Sequence, residues 1–303
     1  MSKQHLDSLA IGLLTLLCLA FGLQQIAIKL TLADIPPLMQ AGLRSVGATL
    51  LLCGWLVWRG ERVWQRDGVE LWGLLTGLLF AGEFMLLYWA LEHTGAARAS
   101  VFWYTSPFVV ALGAQLLIPG EQLGRRQLVG LLCAFTGVVL AFADGLTSGG
   151  QLLGDLLAIG AAILWGATTV VVKASPLGRQ SAGRVLLYQL AVSALLLPLA
   201  SWACGENGSI RLNWLSGGAL AFQTVGVAFI AYLAWFWLIR HYPASQIATF
   251  SFLTPLFGVL LAWWLLDEPL SGYFLAALTL VAAGIYLVNK PNTRVVAEAV
   301  EAS

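Results

Sequence analysis

Ten long apolar stretches follow one another along the chain, and short polar connections separate them. A helix needs about 20 apolar residues to cross the hydrocarbon core of a bilayer, and the stretches have about that length. Helices are expected because lipid cannot satisfy the backbone hydrogen-bonding groups of an open sheet. We number the predicted membrane spans α1–α10: 8–29, 36–58, 70–91, 97–118, 127–143, 152–173, 183–203, 214–238, 244–266 and 272–289.

The composition is that of an integral membrane protein. Of the 303 residues, 59% are hydrophobic and 10% are charged, and the mean hydropathy is +0.83. A soluble domain carries roughly 25% charged residues, so this chain cannot cover its surface for water. Its 13 tryptophans fit aromatic belts at the two membrane interfaces. The net charge of +1 gives no indication of a nucleic-acid partner, so the lipid bilayer is the expected surrounding.

The basic residues predict the orientation of the chain in the membrane. With the N-terminus in the cytoplasm, 12 of the 16 Lys and Arg residues lie on the cytoplasmic side, three lie outside, and Arg44 lies within a span. This bias follows the positive-inside rule, so both termini are predicted to be cytoplasmic. Lys29 and Lys173, at helix ends, are interpreted as snorkelling anchors. Span α1 is too long for a signal-peptide core and lacks a cleavage pattern after it, so we retain it as a helix of the mature protein.

Two pairs of segments repeat each other at a nearly constant offset. Residues 20–29 read AFGLQQIAIK and residues 164–173 read LWGATTVVVK. Residues 105–123, TSPFVVALGAQLLIPGEQL, parallel residues 253–270, LTPLFGVLLAWWLLDEPL. Two matches in the same order indicate an internal duplication. The aligned pairs are Gly22/Gly166, Lys29/Lys173, Pro107/Pro255, Glu121/Glu268 and Gly137/Gly284.

The duplication predicts an inverted repeat. Residues 1–146 and 147–290 each hold five spans, and an odd number of spans places the second copy upside down; residues 291–303 form a polar tail. Inverted repeats are the architecture of secondary transporters, in which a central site lies at the repeat interface and the halves rock to give alternating access. The predicted fold is an all-α polytopic membrane protein with ten transmembrane helices in two inverted five-helix repeats.

With these motifs, residues 8–290 resemble the EamA-type members of the drug/metabolite transporter superfamily. The resemblance rests on the glycine-centred segments, on the prolines of α4 and α9, and on DEPL at 267–270; the first-half counterpart, PGEQL, departs from that pattern. The aromatic density of the central helices resembles that of bacterial amino-acid exporters, including the aromatic-amino-acid type. The resemblance implies a multi-pass protein of the inner membrane that exports its substrate; the orientation of the chain does not fix that direction.

Helical faces on six spans predict the lining of the central cavity, because positions three and four apart share a side of a helix. Aromatic walls would stack on flat apolar side chains and could hold an ammonium group by cation–π attraction. The alternative for each aromatic residue is a lipid-facing or packing role. The candidate substrate-binding residues are Phe21, Gln24, Gln25, Phe80, Glu83, Phe84, Tyr88, Trp103, Tyr104, Trp165, Thr168, Thr169, Tyr232, Trp235, Phe250 and Thr254.

Glu83 is the most informative single residue. It lies near the middle of α3, where a carboxylate is costly and a functional role is the default hypothesis. It could bind a substrate ammonium group, or take up and release a proton during transport. The alternative is a structural ion pair with Arg44.

Pro107 and Pro255 are predicted to act in gating. Each lacks an N–H group and is expected to kink its helix and to leave the carbonyl four residues earlier unpaired, at Trp103 and Ser251. Such carbonyls are tolerated at mid-membrane mainly where they face protein or a wet cavity. Bending at these kinks would let α4 and α9 move during access switching; the alternative is a static kink.

Other classes of function lack their sequence features. The four cysteines and three histidines show no metal-ligand spacing. No G-x-x-x-x-G-K-[ST] loop indicates ATP drive, and no deep Ser/His or Asp/Asp pair indicates an intramembrane protease. We therefore predict a monomeric secondary transporter, not an enzyme, without metal or cofactor, that exports small molecules, chiefly amino acids with aromatic or large apolar side chains. The open alternatives are a cationic drug or metabolite exporter of the same fold, and a channel.

Overall fold

The computed structural model describes residues 6–63, 67–94, 96–146, 152–206, 210–267 and 272–290. Within these ranges all regular structure is helical, and the ten predicted spans are present with ends shifted by a few residues. The spans are Ser8–Thr31 (α1), Pro37–Trp58 (α2), Glu70–His93 (α3), Ala96–Trp103 with Ser106–Leu117 (α4), Arg125–Ala141 (α5), Leu152–Ala174 (α6), Ala182–Ala203 (α7), Trp214–His241 (α8), Ala244–Phe250 with Leu253–Leu266 (α9) and Phe274–Asn289 (α10).

The outer surface of the bundle is suited to lipid. Eight helices of the described chain are long and apolar enough to cross a membrane, and α10 is a shorter apolar helix of 16 residues. Large apolar side chains point outward along several spans, including Leu50, Leu116 and Leu195, each about 70% exposed. Water would not stabilise such a surface. The prediction of a polytopic membrane protein is confirmed.

Helices α5 and α10, the last of each half, pack against each other through glycines. A β-carbon at Gly130 would lie 2.7 Å from the Gly284 carbonyl oxygen, and one at Gly137 would lie 2.7 Å from the Ala277 carbonyl oxygen. Gly130 and Ala277 are 147 residues apart, as are Gly137 and Gly284. The contacts are therefore reciprocal, as an approximate two-fold axis between the halves requires.

A second reciprocal pair joins the first and fourth helices of opposite halves. A β-carbon at Gly22 of α1 would lie 2.9 Å from the backbone N of Gly258 and from Cβ of Phe257 in α9. In the other half, a β-carbon at Gly166 of α6 would lie 2.6 Å from Val109 of α4. The doubled sequence segments thus place a glycine at a close contact between helices in each half.

The packing of α2 on α7 shows that the second half is inverted. Gly42, near the start of α2, contacts Pro198, near the end of α7. Gly183, at the start of α7, contacts Leu56, near the end of α2. Equivalent helices of the two halves therefore run in opposite directions, which confirms the inverted repeat.

Helices α4 and α9 are interrupted, each just before its proline. The breaks fall at Tyr104–Thr105 and at Ser251–Phe252, so Pro107 and Pro255 occupy the first turn of the following segment. Proline is tolerated there because the first turn needs no N–H donor. The prediction of an unpaired Ser251 carbonyl is wrong: that oxygen accepts a hydrogen bond from the Thr254 N–H at 3.0 Å. The chain turns before the proline instead of bending at it.

Two glutamates in connections hold the first turns of helices. Carboxylate oxygens of Glu206 accept hydrogen bonds from the N–H groups of Leu38 and Met39, both at 3.2 Å, at the start of α2. Those of Glu121 accept from the N–H groups of Ala244 at 3.0 Å and Ser245 at 3.4 Å, at the start of α9. A carboxylate at a helix N-terminus satisfies N–H groups that have no partner within the helix.

Glu121 also pairs with a lysine that the sequence suggested was a lipid anchor. Lys173 Nζ lies 2.7 Å from Glu121 Oε1 and donates a hydrogen bond to the Tyr242 carbonyl oxygen. Its side chain is 12% exposed, so the snorkelling interpretation is wrong for Lys173. Glu268, the sequence counterpart of Glu121, and the rest of the DEPL motif after Asp267 lie outside the described residues.

The variant Glu121→Ala is expected to destabilise the protein by roughly 1–3 kcal/mol, since it removes a helix cap and leaves the ammonium of Lys173 without its carboxylate. Thermal unfolding in detergent measures the effect. Glu121→Gln keeps an acceptor for the α9 N–H groups but no charge for Lys173, so its melting temperature should fall between those of the wild type and the alanine variant. Equal melting temperatures for all three proteins would contradict the assigned role.

Candidate functional site: a central aromatic cluster

The indole of Trp165 lies at the centre of a group of aromatic rings. Its ring centroid is 6.2 Å from those of Phe80 and Trp103, 6.4 Å from that of Tyr232 and 6.3 Å from that of Trp235. These separations fall within the range in which aromatic pairs attract each other. The four partners come from α3, α4 and α8, so both halves of the protein contribute.

Further rings extend the group. Phe21 lies 5.6 Å from Tyr232 and 6.0 Å from Trp235, measured between ring centroids. Phe84 lies 5.2 Å from Phe80, and Tyr104 lies 4.9 Å from Trp103. We call the eight residues the central aromatic cluster: Phe21, Phe80, Phe84, Trp103, Tyr104, Trp165, Tyr232 and Trp235.

The other aromatic and hydroxyl candidates lie outside the cluster or are otherwise engaged. Thr168 and Thr169 donate their hydroxyls to the Leu164 and Trp165 carbonyls of their own helix, at 2.9 and 3.4 Å. Phe250 is buried, and its carbonyl oxygen accepts from Cys18 Sγ at 3.2 Å. Thr254 is also buried, within the first turn of the second α9 segment.

The remaining candidates on α1 and α3 take different positions. Gln24 is buried, whereas Gln25 is exposed and its Oε1 contacts Gly258. Tyr88 is half-buried and packs against the core. None of these three side chains makes one of the ring contacts that define the cluster.

Glu83 lies inside the bundle beside the cluster. Its side chain is 2% exposed, and Oε1 accepts a hydrogen bond from the Trp103 indole Nε1–H at 3.1 Å. Among the described residues, Oε2 has no hydrogen-bond partner. A carboxylate can accept about four hydrogen bonds, so the single bond from the indole leaves Glu83 able to accept from another group.

Arg44 lies near Glu83 without bonding to it. The Arg44 side chain is 1% exposed, and its guanidinium carbon lies 4.5 Å above the centroid of the Phe84 ring. Of the described residues, none accepts a hydrogen bond from Nε or Nη1 of Arg44. The positive charge is close enough to act electrostatically on Glu83, and the guanidinium interacts with the Tyr232 hydroxyl both electrostatically and through a hydrogen bond. The direct ion pair considered from the sequence is therefore not formed.

One further polar atom of the cluster, the Trp235 Nε1–H, is buried without a partner in the described chain. The Tyr104 hydroxyl instead interacts with the side chains of Gln25 and Thr254. Buried polar groups are almost always hydrogen-bonded, so unpaired ones mark places where a protein can receive a ligand. No group of three or more His, Cys, Asp or Glu side chains in the described ranges could hold a metal ion.

A cavity of about 480 Å³ opens at one end of the bundle. Its walls are the ends of α6 and α8, the start of α7 and the connection between α6 and α7. Lys173, Arg179 and Arg240 are among its lining residues, together with Phe236. None of the eight cluster residues lines this cavity.

A second cavity of about 370 Å³ lies on the same end and shares Gln180 with the first. Arg184 in its wall donates a hydrogen bond to Asp67 at 2.5 Å. This bond holds the pKa of the Asp67 carboxyl below its usual value. Arg62 and Arg184 line the second cavity together with Glu61.

Two features of the site were not predicted from the sequence. Arg44 was assigned only as a pairing partner, although a lone arginine within a span is itself a signal. Residues Phe222–Ala231 of α8, just before Tyr232, form a π-helix, a conformation often found at functional sites. Within it, Gln223 Nε2 donates a hydrogen bond to Thr31 Oγ1 of α1 at 3.2 Å. The apolar sequence of this segment carries no signal that separates it from an ordinary α-helix.

Comparison with known proteins agrees with a transporter fold. The family model for the EamA-like transporter family matches twice, at residues 8–143 and 152–290. An uncharacterized transporter of Archaeoglobus fulgidus is 28% identical over 95% of this chain and 98% of its own length. A probable amino-acid metabolite efflux pump of Salmonella typhimurium is 28% identical over 91% of this chain and 93% of its own. A solved crystal structure superposes with a TM-score of 0.78 at 21% identity, covering 91% of this chain and 94% of the other, which shows a shared fold.

The bundle, its inverted repeat and its central cluster define a multi-pass membrane transporter. The chain belongs to the EamA-like transporter family, since the family model covers nearly all of both halves.

Proposed function

We propose that the protein is a secondary transporter that exports amino acids with aromatic or large apolar side chains by alternating access. The observation that carries the proposal is the position of Trp165, which contacts rings from both halves at the centre of the bundle. Because the halves of an inverted repeat move against each other, a site built from both is remodelled in each transport cycle.

The chemistry of the cluster suits an amino acid with a flat side chain. Aromatic rings offer stacking surfaces, and the buried polar atoms of Glu83 and Trp235 that have no partner in the described chain offer polar contacts beside them. Sites for small molecules are generally of this kind, apolar with a few placed polar groups. The relative from Salmonella typhimurium is named as a probable amino-acid metabolite efflux pump, which supports the same substrate class.

We infer a place in the inner membrane with both termini in the cytoplasm. The distribution of Lys and Arg between the connections supports this orientation. The cavity of about 480 Å³, lined by Arg179 and Arg240 among others, would then open to the cytoplasm. The chain is proposed to act as a monomer, because each repeat finds its partner within the same chain.

Export of a cationic compound is the second candidate. A buried carboxylate among aromatic rings, as at Glu83, is also the arrangement that binds ammonium groups. The guanidinium of Arg44 opposes this reading, since it would repel a ligand that carries only positive charge.

Flux into proteoliposomes tests the proposal directly. Purified protein is reconstituted, and uptake of labelled tryptophan, phenylalanine, threonine and a quaternary ammonium dye is measured with and without a pH gradient. We expect saturable uptake of tryptophan and phenylalanine, mutual competition between them and acceleration by unlabelled substrate on the opposite side. Protein-free liposomes are the control. Saturable movement of the dye alone would assign the protein to cation export, and non-saturable flux would assign it to the channels.

A further inference from the structure

Arg44 and Glu83 are both buried beside the aromatic cluster and interact electrostatically, but no hydrogen bond joins them. Arg44 projects from α2 over the Phe84 ring, and Glu83, the residue before Phe84, projects from α3 toward Trp103. Nitrogen atoms Nε and Nη1 of Arg44 and oxygen Oε2 of Glu83 have no hydrogen-bond partner in the described chain. At the edge of an apolar site the molecule therefore presents a cationic group with unpaired hydrogen-bond donors and an anionic group with an unpaired acceptor oxygen.

This arrangement is costly unless something completes it. Removing a charge from water without a hydrogen-bonded partner is among the most unfavourable events in a protein interior. The simplest remedy would be a direct bond between the two side chains, yet they do not form an ion pair among the described contacts. A ligand with one positive and one negative group would satisfy both side chains at once.

The chemistry of each group indicates which end of such a ligand it takes. A guanidinium presents parallel N–H donors that match the two oxygens of a carboxylate. A carboxylate flanked by indole and phenyl rings attracts an ammonium group by charge and by cation–π contact. Gln40, one helical turn before Arg44, adds an amide whose oxygen and nitrogen are both buried and unpaired in the described structure.

We propose that Arg44 and Glu83 together form a site for the zwitterionic head group of an α-amino acid. The substrate carboxylate binds the Arg44 guanidinium, the ammonium group binds Glu83, and the side chain lies among the rings around Trp165. The inference rests on the proposed function and specifies its substrate class: molecules that carry both charges on adjacent carbon atoms.

The pair of charges also excludes other molecules. A ligand with only an ammonium group leaves Arg44 without a ligand partner and is repelled by its positive charge. A ligand with only a carboxylate leaves Glu83 without a ligand partner and is repelled by its negative charge. Rejection of a ligand that leaves a buried polar group unpaired is an effective source of specificity. The site therefore discriminates against amines and carboxylic acids that carry the same aromatic ring.

The first experiment uses the unmodified protein in proteoliposomes and three probes with one ring system. The probes are tryptophan, tryptamine, which lacks the carboxylate, and indole-3-propionate, which lacks the ammonium group. We expect tryptophan to be transported, and the other two to compete with it roughly tenfold or more weakly, since each loses a charge-assisted hydrogen bond. Equal competition by all three would overturn the inference while leaving aromatic transport intact.

The second experiment tests whether substitutions at Arg44 and Glu83 change which of the three probes the protein prefers. Relative to the wild type, Arg44→Gln should bind and transport tryptophan less well and tryptamine better. Glu83→Gln should bind and transport tryptophan less well and indole-3-propionate better. If the two residues had a purely structural role, the substitutions would lower the transport of all three probes together. Arg59→Gln and Glu70→Gln are the matched controls, because the Arg59 side chain is 53% exposed and Glu70 lies in the first turn of α3, away from the cluster.

Folding is checked by monodispersity and thermal unfolding of each variant. Arg44→Lys keeps the charge but not the paired donors, so it should restore part of the tryptophan affinity if Arg44→Gln does not fold. Uniform loss across the probes in well-folded variants would contradict the head-group site. If the wild-type protein transported none of the probes and no amino acid, the result would instead contradict the proposed function.

Discussion

Replacement of Trp165 by alanine is expected to reduce the transport of tryptophan and phenylalanine by roughly tenfold or more, since each aromatic contact contributes about 0.5–1.5 kcal/mol beyond burial and four rings contact this indole. Removal of the Trp165 indole has two effects. It removes a stacking surface for the substrate, and it frees Phe80, Trp103, Tyr232 and Trp235 from the positions that they hold around it. Initial rates of uptake into proteoliposomes, normalised to folded protein, measure the effect.

The appropriate control is a tryptophan at the lipid surface. Trp214 is 98% exposed at the start of α8, so Trp214→Ala should leave the transport rate close to that of the wild type. Truncation of a large core residue also costs stability, about 3–5 kcal/mol for an aromatic side chain, so melting temperatures must accompany the rates. Trp165→Phe keeps a ring and should recover part of the activity. Wild-type rates in a folded Trp165→Ala protein would show that the cluster is a packing core and not a binding site.

Replacement of Gly22 by leucine is expected to prevent the accumulation of folded protein. A β-carbon at this position would lie 2.9 Å from the Gly258 backbone N and from Phe257 Cβ, and neither neighbour is the free end of a flexible side chain. Overpacking of a core typically costs about 1–3 kcal/mol, and a clash with backbone belongs at the upper end of that range or beyond it. Separation of α1 from α9 would also displace Phe21, the residue before Gly22, from the cluster. The measurement is the fraction of membrane-inserted protein that is monodisperse after extraction.

The same helix provides the control for this prediction. Gly12 lies on an exposed face of α1, and a β-carbon there would have no heavy atom within 4 Å apart from its own helix. Gly12→Leu should therefore accumulate like the wild type, because it adds a methyl-bearing chain to a lipid-facing surface. Equal yields of the Gly22 and Gly12 variants would contradict the close backbone contact between α1 and α9.

Much of the fold follows from local properties of the sequence. Apolar length alone locates the ten spans, since the cost of burying backbone in lipid permits little besides a helix. The doubled glycine segments also identify the duplication. In the structure Gly22 and Gly166 each lie where the helix packs closely on a facing helix, which explains why a glycine is needed in both halves.

The site was predicted in part. Aromatic stripes on α1, α3, α4, α6 and α8 converge, because each stripe faces away from lipid and the centre of the bundle is where such faces meet. The threonines of α6, Thr168 and Thr169, donate their hydroxyls to carbonyls one turn earlier, and their place in the cavity lining stays a prediction. The gating role of Pro107 and Pro255 stays a prediction, with the difference that the chain already breaks before each proline.

By itself, the sequence determined which segments cross the membrane, that the chain is two copies of one unit, and that Glu83 lies within the bundle. Each of these depends on composition or spacing along the chain. Only the tertiary structure decided that Lys173 pairs with Glu121, that Trp165 is the centre of the cluster, and that Arg44 and Glu83 stand near each other without bonding. Those outcomes depend on the angles and depths at which helices distant in sequence pack, and a pattern of residues along one helix carries no information about either.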